Sequence, residues 1–230
     1  LALEIEIDPL EQIDEDSFSK GLNITQECNE ALKMLKGNRE ERIQGLRIFC
    51  EYRDSRSFPL LLPLLDQPCP VERMSVVYAL GRNPCPSAVE KLVSLLETDD
   101  NAYVRRATAW SLANYDNQIV LEPLINALKN DVAAVRLWSS SSLAEIGNVS
   151  LENAQLAAEQ LLISLKIDNE PGVRSNCIWS LCRLYEKLNN TFQESFVDEC
   201  TKIALFDKEP SVMEEAKTAL DSMGMQGFYN

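Results

Sequence analysis

Histidine is absent from all 230 residues, which removes the commonest general base and metal ligand. A Ser-His-Asp or Cys-His catalytic arrangement on this chain alone is therefore excluded. Long hydrophobic runs are missing too: no stretch approaches the roughly 18 apolar residues that a membrane span needs, so no membrane insertion is expected. The first residues contain no basic region and no long apolar run, and no signal peptide is expected there. Positive charge is scarce, with 22 Lys and Arg against 36 Asp and Glu and a net charge of −14. Displacing counterions from phosphates takes a basic surface, so no nucleic-acid partner is expected.

Cysteine is present in odd number, seven in all, with no CxxC pair. The chain is too large and too poor in cysteine for a disulfide scaffold, which points to a reducing, cytoplasmic setting. Cys69 and Cys85 each stand in a Pro-Cys-Pro triplet at opposite ends of one predicted helix. A helix of about a dozen residues holds them roughly 18 Å apart, too far to share one metal ion. They read as small residues in turns, or as a thiol site completed by another chain.

Half of the acidic excess sits in one place. Glu4, Glu6, Asp8, Glu11, Asp14, Glu15 and Asp16 precede Lys20, the first basic residue, and define an acidic N-terminal arm over 1–22. Such a run reads as a solvated segment. Its alternation of Leu1, Leu3, Ile5 and Ile7 with acidic residues also suits a strand that pairs with a partner.

From residue 23 to 230 the chain repeats itself. Val104-Arg105…Leu112, Val135-Arg136…Leu143 and Val173-Arg174…Leu181 align. Small or medium residues stand fourth after each Val (Thr108, Ser139, Cys177), and a serine precedes each Leu (Ser111, Ser142, Ser180). Glu72–Leu80 and Val212–Leu220 are looser copies, with Val76 fourth in the first, and Arg42–Cys50 is the loosest. A leucine-rich amphipathic run precedes each copy and ends at Asp66, Asp99-Asp100, Asp131, Asp168 or Asp207, polar residues suited to capping the next helix. The first helices are expected at about 25–36, 57–66, 87–98, 117–130, 151–167 and 191–206. The expected architecture is all-α: a solenoid of about six antiparallel helix pairs forming one domain with a continuous core.

Asp131 followed by VAAVRLWSSSSLAEIG, after a leucine-rich helix, resembles the HEAT-repeat pattern. The short repeat in the middle is most similar to the HEAT-like repeats of the phycobilisome lyases and their cyanobacterial relatives. The resemblance implies that Arg105, Arg136 and Arg174 pair with loop aspartates of neighbouring repeats, Asp100 and Asp131 standing in the matching positions. It also implies a bilin lyase subunit, or a chaperone holding a linear tetrapyrrole, as one possible function. The partner would then be a phycobiliprotein or a second HEAT-like subunit. A further function implied by the lineage is an adaptor for iron–sulfur assembly, with a cluster shared between a partner and Cys69 or Cys85.

One row is not required by the stack. The sixth place of the repeat holds Ile48, Tyr78, Trp110, Ser141, Trp179 and Thr218. It lies roughly 120° around the helix from the register Val, away from the first helices. Trp138 stands beside the gap at Ser141, and Met74, Arg106 and Arg183 adjoin the row. Aromatic and arginine side chains are the types enriched at binding hot spots. The row therefore reads as a groove that anchors a protein partner, with the arginines orienting carboxylates and the serines 139–142 leaving room for its approach. The leading expectation is a non-enzymatic interaction scaffold with no cofactor.

Overall fold

The computed structural model describes residues 21–225; the predicted arm, apart from Gly21 and Leu22, lies outside them. All regular structure among the described residues is helical, in six successive pairs. The pairs are α1 (Gly21–Met34) with α2 (Arg39–Glu51), α3 (Phe58–Leu61) with α4 (Pro70–Arg82), and α5 (Val89–Thr98) with α6 (Ala102–Leu112). They continue as α7 (Leu121–Asn130) with α8 (Ala133–Gly147), α9 (Leu151–Ile167) with α10 (Pro171–Leu184), and α11 (Asn190–Phe206) with α12 (Pro210–Ser222). The predicted helix at 57–66 is realised only as α3 and a 3₁₀ run over Leu62–Asp66. Pro63 lacks the N–H that would continue the α-helical ladder.

Helix starts are written locally. Asn38 caps α2 and is answered by Glu41 in a capping box, while Asn101, Ser150 and Asn189 cap α6, α9 and α11. Pro70, Pro171 and Pro210 occupy the first position of their helices, where the missing N–H is no loss. Helix α12 stops at Gly224, whose φ of +75° suits glycine.

Second helices pack on one another more closely than first helices do. The closer layer has the shorter arc, so α2, α4, α6, α8, α10 and α12 form the inner, concave layer. Small residues explain the approach. The fourth repeat position (Gly45, Val76, Thr108, Ser139, Cys177, Ala216) is buried throughout. At the seventh, Ser142 Oγ donates to the Ala109 carbonyl at 2.7 Å and Ser180 Oγ to the Ser140 carbonyl at 2.9 Å. One helix thus bonds directly to the backbone of the preceding one, which no larger residue there would permit.

The predicted ion-pair ladder is present and longer than expected. Arg73, Arg105, Arg136 and Arg174 fork onto Asp99, Asp131, Asp168 and Asp207, each with a closest approach of 2.7 Å. Arg42 with the buried Glu72 adds a fifth rung. Asp99, not Asp100, is the ladder residue. Asp99 ends α5, with its N–H on the Leu95 carbonyl, and faces Arg73, whereas Asp100 is one residue on and exposed. The loop aspartates also differ from expectation in their second task. They accept backbone N–H groups of the loop or helix start, while Asn101, Val132, Glu170 and Glu209 occupy the N-cap positions themselves.

Candidate functional site

Every residue of the predicted groove lies on the inner layer: Met74 and Tyr78 on α4, Arg106 and Trp110 on α6, Trp138 and Ser141 on α8, Trp179 and Arg183 on α10. These four helices are consecutive neighbours in the inner layer, so the row crosses them in order, with its gap at Ser141 on α8. Its exposure varies. Trp138 and Trp179 are 36% and 39% exposed, whereas Met74, Tyr78 and Trp110 are half-buried.

Trp110 owes its burial to a residue far away in sequence. Its ring rests on the backbone of Gly81, where a Cβ would come within 2.5 Å of Cζ3. Its other neighbour is Tyr78, with ring centroids 5.3 Å apart and planes tilted by 54°, an arrangement that suits the ring quadrupoles. Trp110 therefore ties α4 to α6 and still presents part of its ring on the inner face.

The two arginines of the row differ. Arg183 stacks 4.9 Å from the Trp179 ring centroid and pairs with Glu145 at 2.7 Å. Arg106 donates to the Tyr78 hydroxyl at 3.2 Å and lies 5.6 Å from the Tyr103 ring centroid. Its Nε is buried and meets no acceptor. Tyr103, 64% exposed, falls outside the predicted row; its spacing of three from Arg106 on one helix is the signal that places it there.

Two expectations are corrected. Ser139, Ser140 and Ser142 are buried between helices, and only Ser141 is partly open. The serine run therefore serves inter-repeat packing, not the approach of a partner. Asn176 Nδ2 reaches the Leu137 carbonyl and the Ser140 and Ser141 hydroxyls at 2.6–2.9 Å, closing that gap further. In the first repeat the ladder fixes Glu41, not Arg42, as the register residue, since Arg42 is the rung. The sixth place is then the exposed Arg47, while Ile48 packs against the core.

Cavities open on both layers of the stack. One of about 280 Å³ lies on the inner layer against Ser141, Asn176, Trp179 and Glu215. A larger one of about 420 Å³ opens between the ends of α9 and α11, beside Ile167 and Phe206, 71% and 78% exposed. The leucine-rich pattern of the first helices hid that pair among core positions.

The inner face offers ring surfaces, amides, hydroxyls and guanidiniums, groups suited to holding a partner. Among the described residues no three of His, Cys, Asp and Glu come together as metal ligands. Cys69 and Cys85 flank α4 at its opposite ends, about 20 Å apart along 13 residues. Cys85 Sγ lies 3.0 Å from the Ser87 hydroxyl, and Arg39 donates to Cys69 Sγ at 3.0 Å. The Glu72 N–H, with that of Val71 and with Arg39, pulls the Cys69 thiol below its ordinary 9.0 against a smaller push from burial. Burial pushes the Cys50 and Cys182 thiols up to about 11, and those of Cys177 and Cys200 higher still. No helix among the described residues is long and apolar enough to cross a membrane.

The family model described as HEAT repeats matches residues 29–113 and 89–182. No curated protein matches the sequence. Among solved structures, a designed armadillo repeat protein in complex with the peptide (KR)4 is similar, with a TM-score of 0.56 and 18% identity over 96% of this chain and 98% of that one. An engineered protein known by crystal structure is similar with a TM-score of 0.57 and 21% identity, covering 94% of this chain and 99% of that one. At these identities the likeness is one of fold.

Proposed function

Because the chain belongs to the HEAT-repeat family, and because its inner layer displays rings that the stack does not require, we propose that it is a non-enzymatic scaffold binding a partner protein along its concave face. The observation that carries this reading is the aromatic row on α4, α6, α8 and α10, with Trp138 and Trp179 left exposed on the same side. An exposed aromatic row invites aggregation unless something covers it. The similar armadillo repeat protein, which is in complex with a peptide, supports the reading by showing a repeat stack of this fold holding one. A phycobiliprotein or a second HEAT-like subunit, the partners implied by the resemblance, would meet this face as well.

The test is a selection of random dodecapeptides on the full chain, with each binder measured again on Trp179→Ala and Trp110→Ala. Loss of the exposed Trp179 should weaken binders of the face by about tenfold or more if it is a hot spot, with the circular dichroism spectrum unchanged. Binders indifferent to both substitutions would overturn the assignment of this face.

The same groove favours one second reading. Arg106 stands with unmet donors beside aromatic rings, a setting suited to the propionate of a linear tetrapyrrole. Adding free bilin should then shift its absorbance band, and the shift should disappear in Arg106→Glu.

A further inference from the structure

Charge on the inner layer runs against the charge of the chain. Helices α4, α6, α8 and α10 carry seven arginines and two glutamates, while the whole chain has a net charge of −14. Most of those charges are engaged. Four arginines hold loop aspartates in the ladder, Glu72 lies under Arg42, and Arg183 meets Glu145. Arg82 and Arg106 are left without a carboxylate among the described residues.

These two flank the tilted aromatic pair. Arg106 is one helical turn before Trp110, and Arg82 follows Gly81, on which the Trp110 ring rests. A guanidinium carries five N–H donors in a planar fork. Arg106 uses one of them, on Tyr78; its Nε is closed off from solvent, and its Nη1 is neither hydrogen-bonded nor buried, so the Nη edge is the part that an arriving group can meet. A chain with a large acidic surplus places no carboxylate of its own there among the described residues. The group that matches the fork is a carboxylate, which accepts two parallel hydrogen bonds. The Tyr103 ring, 5.6 Å from the guanidinium, and the Tyr78 hydroxyl hold the Arg106 side chain from two sides.

We propose that Tyr78, Trp110, Arg82 and Arg106 dock an acidic segment of a partner protein. An apolar or aromatic side chain of that segment lies on the ring pair, and its carboxylates meet the two guanidiniums. The proposal rests on the scaffold reading above and adds the chemistry of the partner. One end of the inner layer limits its length, since Glu215 and Glu214 on α12 repel an acidic chain. At the other end the exposed Arg47 on α2 stands in the same row beside Glu40 and Glu51, and α2 is neutral as a whole. A segment crossing α4 through α10 spans about three helix spacings, or roughly eight extended residues.

The experiment uses the full chain and two labelled octapeptides, one alternating Glu and Leu and the other (KR)4, followed by fluorescence anisotropy. The acidic peptide is expected to bind and (KR)4 not to bind at the same concentrations. Raising salt should weaken the complex, because half-open charges are screened. The double charge reversal Arg82→Glu with Arg106→Glu should reduce acidic-peptide affinity by at least about tenfold and transfer the preference to (KR)4. Arg82→Gln with Arg106→Gln, which adds no repulsion, should show the loss without the transfer. Lys129→Glu, an exposed position on α7 in the outer layer, should change affinity by less than about twofold. Equal acidic-peptide binding by wild type and the double reversal, or tighter (KR)4 binding by the wild type, overturns the proposal. The dodecapeptide selection separates the two readings. Binders that need Trp110 or Trp179 but carry no acidic residues overturn this inference and leave the scaffold standing; binders that need neither overturn both.

Discussion

Arg105 and Arg106 are adjacent in the chain and opposite in circumstance. Arg105 places two nitrogens on Asp131 and a third on the Asp99 carbonyl, all at 2.7 Å. The same arrangement recurs at Arg73, Arg136 and Arg174, and in part at Arg42, which places one nitrogen on Glu72 and one on the Gly37 carbonyl. Arg106 makes one hydrogen bond, and its place in other repeats is held by Ile43, Met74, Leu137, Ser175 and Glu214. A residue that five of the six repeats supply, each time paired with a carboxylate, is explained by the stack it joins. A residue that one repeat supplies, with donors unmet, is explained by nothing inside the stack. That contrast separates mortar from site in a repeat protein, where recurrence otherwise makes structural residues look functional.

The largest effect should come from truncating each arginine in turn. Arg105→Ala strands Asp131, whose side chain is only 12% exposed, and should destabilise the chain by about 2 kcal/mol, below the range for a fully buried pair. For a chain of this length the melting temperature should fall by roughly 4–8 °C, with acidic-peptide binding nearly unchanged. Arg106→Ala loses one neutral-acceptor hydrogen bond and a contact with an exposed ring, about 1 kcal/mol or less, but most of the peptide affinity. Thermal melts and anisotropy on the two variants decide the matter. If both variants melt alike and bind alike, the comparison fails.

A smaller effect should follow from Gly81→Ala. The new methyl group has no room beside the Trp110 ring and must displace it, at about 1–2 kcal/mol for overpacking. Trp110 then tilts away from Tyr78, so the tryptophan emission maximum should move and peptide binding should weaken. Unaltered emission and binding would show that the ring pair has no part in the site.

Much of the ladder and little of the site could be read from the sequence, for one reason. The Val-Arg register repeats, so Arg105, Arg136 and Arg174 announce one another, and the fold followed from them. Where the register residue changes, as at Glu41, the reading slipped by one place and put Ile48 where Arg47 stands. Where two aspartates are adjacent, composition alone does not distinguish them, and the capping bond from Asp99 to Leu95 makes the choice. The groove was visible as a row of residue types, since Tyr78, Trp110 and Trp179 share a place in the repeat. What each ring touches was not visible, because contacts across repeats join residues about 30 apart. Gly81 beneath Trp110 and Ser142 on Ala109 are such contacts. The serines looked open by size and are buried by neighbours.

The smallest predicted effect, and the one that isolates a single rung, is in the pH dependence of stability. Burial alone would raise the carboxyl of Asp131, but the Arg105 guanidinium and the Val132 N–H outweigh it and hold the group below its ordinary 3.8. Asp99, Asp168 and Asp207 are lowered in the same way, each against its own burial. A carboxyl with a lower value in the folded chain binds its proton more readily when the chain unfolds. Its contribution is therefore complete above about pH 4 and is lost as pH falls through the folded value. Wild-type melting temperature should fall steeply below about pH 4. Arg105→Ala removes the group that lowers Asp131, so its fall over the same range should be shallower by the share of one rung among those present. Arg106 has no carboxylate to lower, and Arg106→Ala should keep the wild-type slope. A shallower slope in Arg106→Ala would reveal an acidic partner for this guanidinium inside the chain, and the site would then be a sixth rung, not an opening for a partner.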